Sequence, residues 1–108
     1  MAHQHKRGYD KIAPKLVQLS SDVLFGDVWE RDALSKRDRS LITVTALVAS
    51  YRPQQMPFHM KFALENGVTS DELVELVTHL AFYAGWPSAV SAAEVLGDVL
   101  KSLEEEAK

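Results

Sequence analysis

The chain has 108 residues, 46% hydrophobic and 25% charged, which suits one soluble domain with a single core. A formal net charge of −3 without a long basic block argues against nucleic acid as a partner, and no apolar run approaches the ~18 residues that a membrane helix needs. There is no cysteine, which excludes disulfides, thiolate zinc sites and thiol nucleophiles, and fits a reducing cytoplasmic setting.

In chain order, residues 1–9 lack an apolar leader core and read as a flexible tail, whose His3 and His5 could chelate metal only adventitiously. From Ala13 to Phe25, apolar residues at 16, 17, 19, 23 and 24 predict a helix, with Pro14 suited to its first turn. Gly26 loosens the pattern. The following GDVWERDAL predicts a turn anchored by Trp29 and Leu34. Ser35 opens the next helix, SKRD being a shortened capping box, and the helix runs through RSLITVTALVASY. Leu41, Val44, Leu47 and Val48 make its apolar face, widened by Ile42, Ala46 and Ala49. The β-branched run also resembles a buried strand, but its length and N-cap favour helix.

A third helix is expected from Pro53 to Asn66, bent slightly at Pro57 and ended by Gly67 in a left-handed cap. TSDE, residues 69–72, caps a fourth helix, DELVELVTHLAFYA. Gly85, Trp86 and Pro87 interrupt it, and a last helix runs from about Ser88 into a charged tail, residues 103–108, which should fray. The expectation is an all-α domain over residues 10–102.

Few side chains could carry chemistry. Arg52, Gln55 and His59 stand on the third helix, the last two one turn apart; Glu75, His79 and Tyr83 share a face of the fourth. Packed as an antiparallel hairpin, these helices could point both histidines into one gap. A histidine on an apolar face is more often a hydrogen-bonded core residue, and that reading stays open here. HExxH is absent, and so are a GxSxG elbow and a glycine-rich phosphate loop; no metal site is expected. Arg31, Lys36, Arg37 and Arg39 crowd a helix start, where cations oppose the helix dipole unless they meet acids, a subunit contact or an anionic ligand.

Three elements together are specific: W-x-R-x-x-L-x-x-R-x-R-S-L from Trp29, H-x-x-x-A-x-x-N-G-V-T from His59, and H-x-A-x-Y-A-G-W-P from His79. In order and spacing they resemble the carboxymuconolactone decarboxylase family, within the superfamily of alkylhydroperoxidase D, over about residues 10–97. The resemblance implies an all-helical alkylhydroperoxidase D-like fold with a central antiparallel helical hairpin, assembled into trimers or hexamers. It implies a cytoplasmic, cofactor-free lyase of aromatic degradation that converts a 4-carboxymuconolactone-like substrate to an enol-lactone with loss of carbon dioxide. The peroxidase branch of that superfamily uses Cys-x-x-Cys and a histidine four residues on. His59 matches the histidine, but Arg52 and Gln55 occupy the cysteine positions and neither supplies a thiolate.

Decarboxylation of such a lactone needs charge stabilisation and a proton delivered to carbon. An imidazole can deliver it near neutral pH, so His59 is the expected acid/base. Arg39 and Arg52 are candidates to hold the carboxylate, with Arg39 equally suited to a subunit contact. Gln55, His79, Tyr83 and Trp86 are candidates to orient the substrate and exclude water. The family's decarboxylases carry acids where Pro53, Gln54 and Gln55 stand and a glutamine in place of His79. A non-catalytic, oligomeric small-molecule binder on the same scaffold is therefore the alternative.

Overall fold

A computed structural model describes residues 8–108. His3, His5 and most of the expected tail lie outside the described residues; Gly8 and Tyr9 fall in a 3₁₀ turn, Gly8–Asp10. The chain forms two compact units, one ending at Lys36 and the other covering Arg37–Lys108. Among the described residues every regular element is helical.

In the first unit, α1 spans Pro14–Leu19 and widens without a break into a π-helical turn, Ser20–Phe25. Gly26 closes that turn. A Cβ there would lie 2.7 Å from the Ser21 carbonyl oxygen and 2.9 Å from that of Asp22, so only glycine fits without a shift. A 3₁₀ turn, Val28–Glu30, follows and buries Trp29, whose ring lies 5.7 Å from that of buried Phe25. Leu34 is no anchor: it is 41% exposed. Leu16, Leu19, Val23 and Leu24, whose spacing predicts this helix, are exposed as well.

The second unit holds most of α2 (Lys36–Ala49) and all of α3 (Met56–Glu65), α4 (Ser70–Leu80) and α5 (Trp86–Glu106). Its core joins Val44 and Val48 of α2, Met56, Met60 and Ala63 of α3, Leu73 and Val77 of α4, and Ala89, Ala92, Leu96 and Val99 of α5. The apolar face expected of α2 is thus real, but narrower: Ile42 is 54% exposed, and Ala46 and Ala49 also face outward. α5 packs along both α3 and α4. Val74 and Leu100 border one end of the α4–α5 groove, Phe82 and Trp86 the other, so these two helices run antiparallel as a hairpin. The charged tail continues α5 to Glu106, which pairs with Lys61 at 3.5 Å.

Helix ends explain where the expected boundaries shift. α3 starts at Met56, not Pro53. Pro57 is therefore its second residue, where a missing N–H has no intrahelical partner and no bend is needed. Gly67, at φ 99°, ends α3 as expected: Val68 N–H reaches the Ala63 carbonyl at 2.9 Å and Gly67 N–H that of Leu64 at 3.2 Å. α2 ends in the same double-bonded cap with Tyr51 in glycine's place. Arg52 N–H bonds the Leu47 carbonyl at 2.8 Å, Tyr51 N–H that of Val48 at 3.2 Å, and Tyr51 sits at φ 55°. A left-handed conformation costs a residue with a side chain roughly 1–2 kcal/mol.

Two polar links tie the helices at one end. Asn66 Nδ2 donates to Ser40 Oγ at 3.0 Å, and Ser40 is 1% exposed. At the start of α4, Thr69 Oγ1 accepts the Glu72 N–H at 3.1 Å while Glu72 Oε1 accepts the Thr69 N–H at 2.9 Å, completing the expected capping box. Arg37 also donates to Glu72. The Thr69 N–H first, and the Arg37 guanidinium second, hold the Glu72 carboxyl below its ordinary value of 4.5. A depressed carboxyl adds stability that is present above that ordinary value and is lost as the pH falls through the folded-state value. Thr69→Ala is expected to cost about 0.5–2 kcal/mol in urea denaturation. Glu72→Gln should melt below the unmodified chain at neutral pH, the gap closing as the pH falls below 4.5. A gap that stayed constant in acid would contradict this linkage.

Candidate active site

His59 stands in the second turn of α3, half-buried between two phenylalanines of its own helix. The Phe58 ring meets it edge-on at 4.9 Å, and the Phe62 ring lies 6.4 Å away. Its Nδ1 is shielded from solvent. Helical spacing alone puts Phe62 beside it, because positions three apart are neighbours. Phe58 and Phe62 were not among the expected site residues, and this i, i+3 pattern around His59 was the signal for one of them.

Arg52 and Gln55 lie just ahead of α3 and are both exposed. They close one turn, with the Gln55 N–H on the Arg52 carbonyl at 3.2 Å. Gln55 takes the N-cap position without capping through its side chain. The turn therefore delivers Arg52 and Gln55 to the end of α3 that carries His59.

Arg39 lies on α2, half-buried, with its Nε shielded from solvent. Other cations of that run meet acids: Lys36 pairs with Glu30 at 2.9 Å, and Arg37 with Glu72 and, at 3.8 Å, Asp38. These carboxylates answer the dipole conflict expected at this helix start.

His79 is exposed at the end of α4 and stacks on Tyr83, ring centroids 4.7 Å apart and planes inclined by 21°. α4 stops at Leu80, so Tyr83 belongs to the following turn; its N–H on the Leu80 carbonyl at 3.1 Å keeps it over His79. His79 also lines a groove of about 440 Å³ with Glu72, Glu75 and Leu76 of α4 and Leu41 and Thr45 of α2. Leu41 and Thr45 went unforeseen, since their place opposite His79 depends on the register between helices. His59 does not line this groove. Trp86 opens α5, 62% exposed, edge-on to Phe82 at 5.9 Å. The structure thus groups Arg52 and Gln55 ahead of His59, and His79 with Tyr83 and Glu75. Among the described residues no three His, Asp or Glu side chains cluster as metal ligands, and no helix is long and apolar enough to cross a membrane.

Residues 14–98, which hold all of these side chains, match the family model of the Carboxymuconolactone decarboxylase family. The chain is similar to a 4-carboxymuconolactone decarboxylase of Acinetobacter baylyi, 39% identical over 79 residues that cover 73% of this chain and 59% of that protein. It is 35% identical over 75 residues to the nitrosuccinic acid decarboxylase npaB of Metarhizium robertsii, covering 69% of this chain and 52% of that protein. An uncharacterized 15.0 kDa protein of Paracoccus denitrificans is 24% identical, over 98% of this chain and 81% of its own length. The chain thus spans between half and three-fifths of the length of the two decarboxylases.

Proposed function

Because the chain belongs to the carboxymuconolactone decarboxylase family, we propose that it is a cofactor-free decarboxylase of a small carboxylated lactone, of the 4-carboxymuconolactone type, in the breakdown of aromatic compounds. The observation that carries this reading is the 39% identity to a 4-carboxymuconolactone decarboxylase over 79 residues of this chain. The second relative is named for another substrate, nitrosuccinic acid, but for the same loss of carbon dioxide. What the two names share is a carboxylate whose bonding electrons need an acceptor.

On a carboxylated lactone, the carbon–carbon bond to the carboxylate breaks, its electron pair passes into the conjugated lactone carbonyl, and carbon dioxide leaves. A proton from the His59 imidazolium then goes to the ring carbon, and the neutral imidazole left behind regains one from solvent. Phe58 and Phe62 limit the water that could compete around the ring. Arg52, exposed at the turn ahead of α3, holds a carboxylate with its forked donors. Arg39 serves a second anionic group or a subunit contact. Gln55, His79, Tyr83 and Trp86 orient the ligand. No thiol peroxidation is available to a chain without cysteine.

The proposal extends to assembly into a trimer or hexamer in the cytoplasm. Ile42, Val74, Phe82, Trp86 and Val90 are large apolar residues left on the surface, and contacts between subunits would remove them from water. The test is direct: purified protein supplied with 4-carboxymuconolactone should release one carbon dioxide per lactone consumed, and light scattering of the same sample should give a multiple of the chain mass. Absence of carbon dioxide release would remove the activity; a monomer would remove the assembly.

A further inference from the structure

Tyr51 is the one non-glycine residue at positive φ among the described residues. The chain places glycine at 67 for an identical cap, so the ordinary solution is within its repertoire. Position 51 instead holds a bulky aromatic in a conformation that L side chains resist. Burial does not compensate, because Tyr51 is 55% exposed. Packing within the chain therefore gives no reason for tyrosine here, and strain held at an exposed residue points to a use for its side chain.

The surroundings say what use. The same cap that strains Tyr51 clamps Arg52, through the 2.8 Å bond from its N–H to the Leu47 carbonyl. The next turn, closed by Gln55 N–H on the Arg52 carbonyl, leads directly into the helix of His59. A phenol and a guanidinium thus leave adjacent positions of a doubly hydrogen-bonded connection. A phenol O–H donates to an oxyanion, and its ring offers a flat face to an unsaturated ring. We infer that Tyr51 is a substrate-recognition residue that works with Arg52 on a planar carboxylate, its hydroxyl donating to the anion. The inference rests on the reading of Arg52 as the carboxylate anchor.

The experiment compares the unmodified chain with Tyr51→Gly and Tyr51→Phe. Thermal melting is read alongside calorimetric titration with a non-reactive saturated γ-lactone bearing a carboxylate; turnover of 4-carboxymuconolactone is measured separately. Tyr51→Gly keeps the backbone conformation and sheds its strain, so it should melt higher by about 4–8 °C. It should also bind the lactone carboxylate about 10- to 100-fold more weakly, the range of a hydrogen bond to a charged group. Tyr51→Phe should melt like the unmodified chain and lose most of the same affinity. A Tyr51→Gly chain that melts higher and binds undiminished overturns the inference and leaves the decarboxylase reading intact. Melting that does not rise overturns the premise of strain, and absence of binding by the unmodified chain overturns the recognition role. Tyr51-dependent binding without any turnover sinks the decarboxylase reading while the recognition role stands.

Discussion

Replacing His59 by alanine is expected to lower the decarboxylation rate by about 10²–10⁴-fold and to leave folding and assembly unchanged. The size follows from the role. Without the imidazole, the electron pair left on the lactone when carbon dioxide departs has no positioned proton, and water must supply one past the rings of Phe58 and Phe62. The selectivity follows from position. His59 is half-buried and stands outside the core cluster, which takes Met60 and Ala63 from the same helix. Arg52 is untouched by the change, so KM should move far less than kcat. His79→Ala, at the exposed end of α4, is the control and should act mainly on KM. Near-normal turnover by the His59 variant would take the residue out of the chemistry; an effect confined to KM would make it a binding residue.

The second large effect concerns the scaffold. Leu73→Ala is expected to lose about 2–5 kcal/mol, the cost of truncating a fully buried leucine. Leu73 is wholly buried, at the α4 end of the core. Against a total stability of roughly 5–15 kcal/mol, that loss is a large fraction of what holds the chain folded. Leu16→Ala, on the exposed side of α1, should by contrast change folding by no more than about 0.5 kcal/mol. Urea denaturation at one fixed protein concentration compares the two, because association would otherwise add to apparent stability. Equal effects would mean that the inward and outward sides of the helices are assigned wrongly.

The elements that could be read from the chain are those with local causes. Thr69 and Glu72 satisfy one another across three residues, so the start of α4 was visible in four letters. Gly67 marks the end of α3 because glycine accepts φ 99° without a steric cost. The α2 face was visible in the spacing of Val44 and Val48, although Ile42 could not be sorted from them without knowing what packs there. Where the cause was not local, reading stopped short. Tyr51 ends α2 in a conformation that its identity does not announce. The π-helical turn after Leu19 carries no compositional mark, and Leu34 shows the same leucine pattern whether inside or out. His59 and Arg52 were singled out by residue type and by resemblance. The rings around His59, and the groove that His79 shares with Leu41 and Thr45, exist only once helices are in place.

α5 lies along both α3 and α4, and it is made after them. During synthesis, α3 and α4 leave the ribosome while Met60, Leu73 and Val77 still lack the side chains that α5 brings to them. The nascent segment therefore keeps these side chains uncovered until residues 86–106 emerge and complete the core.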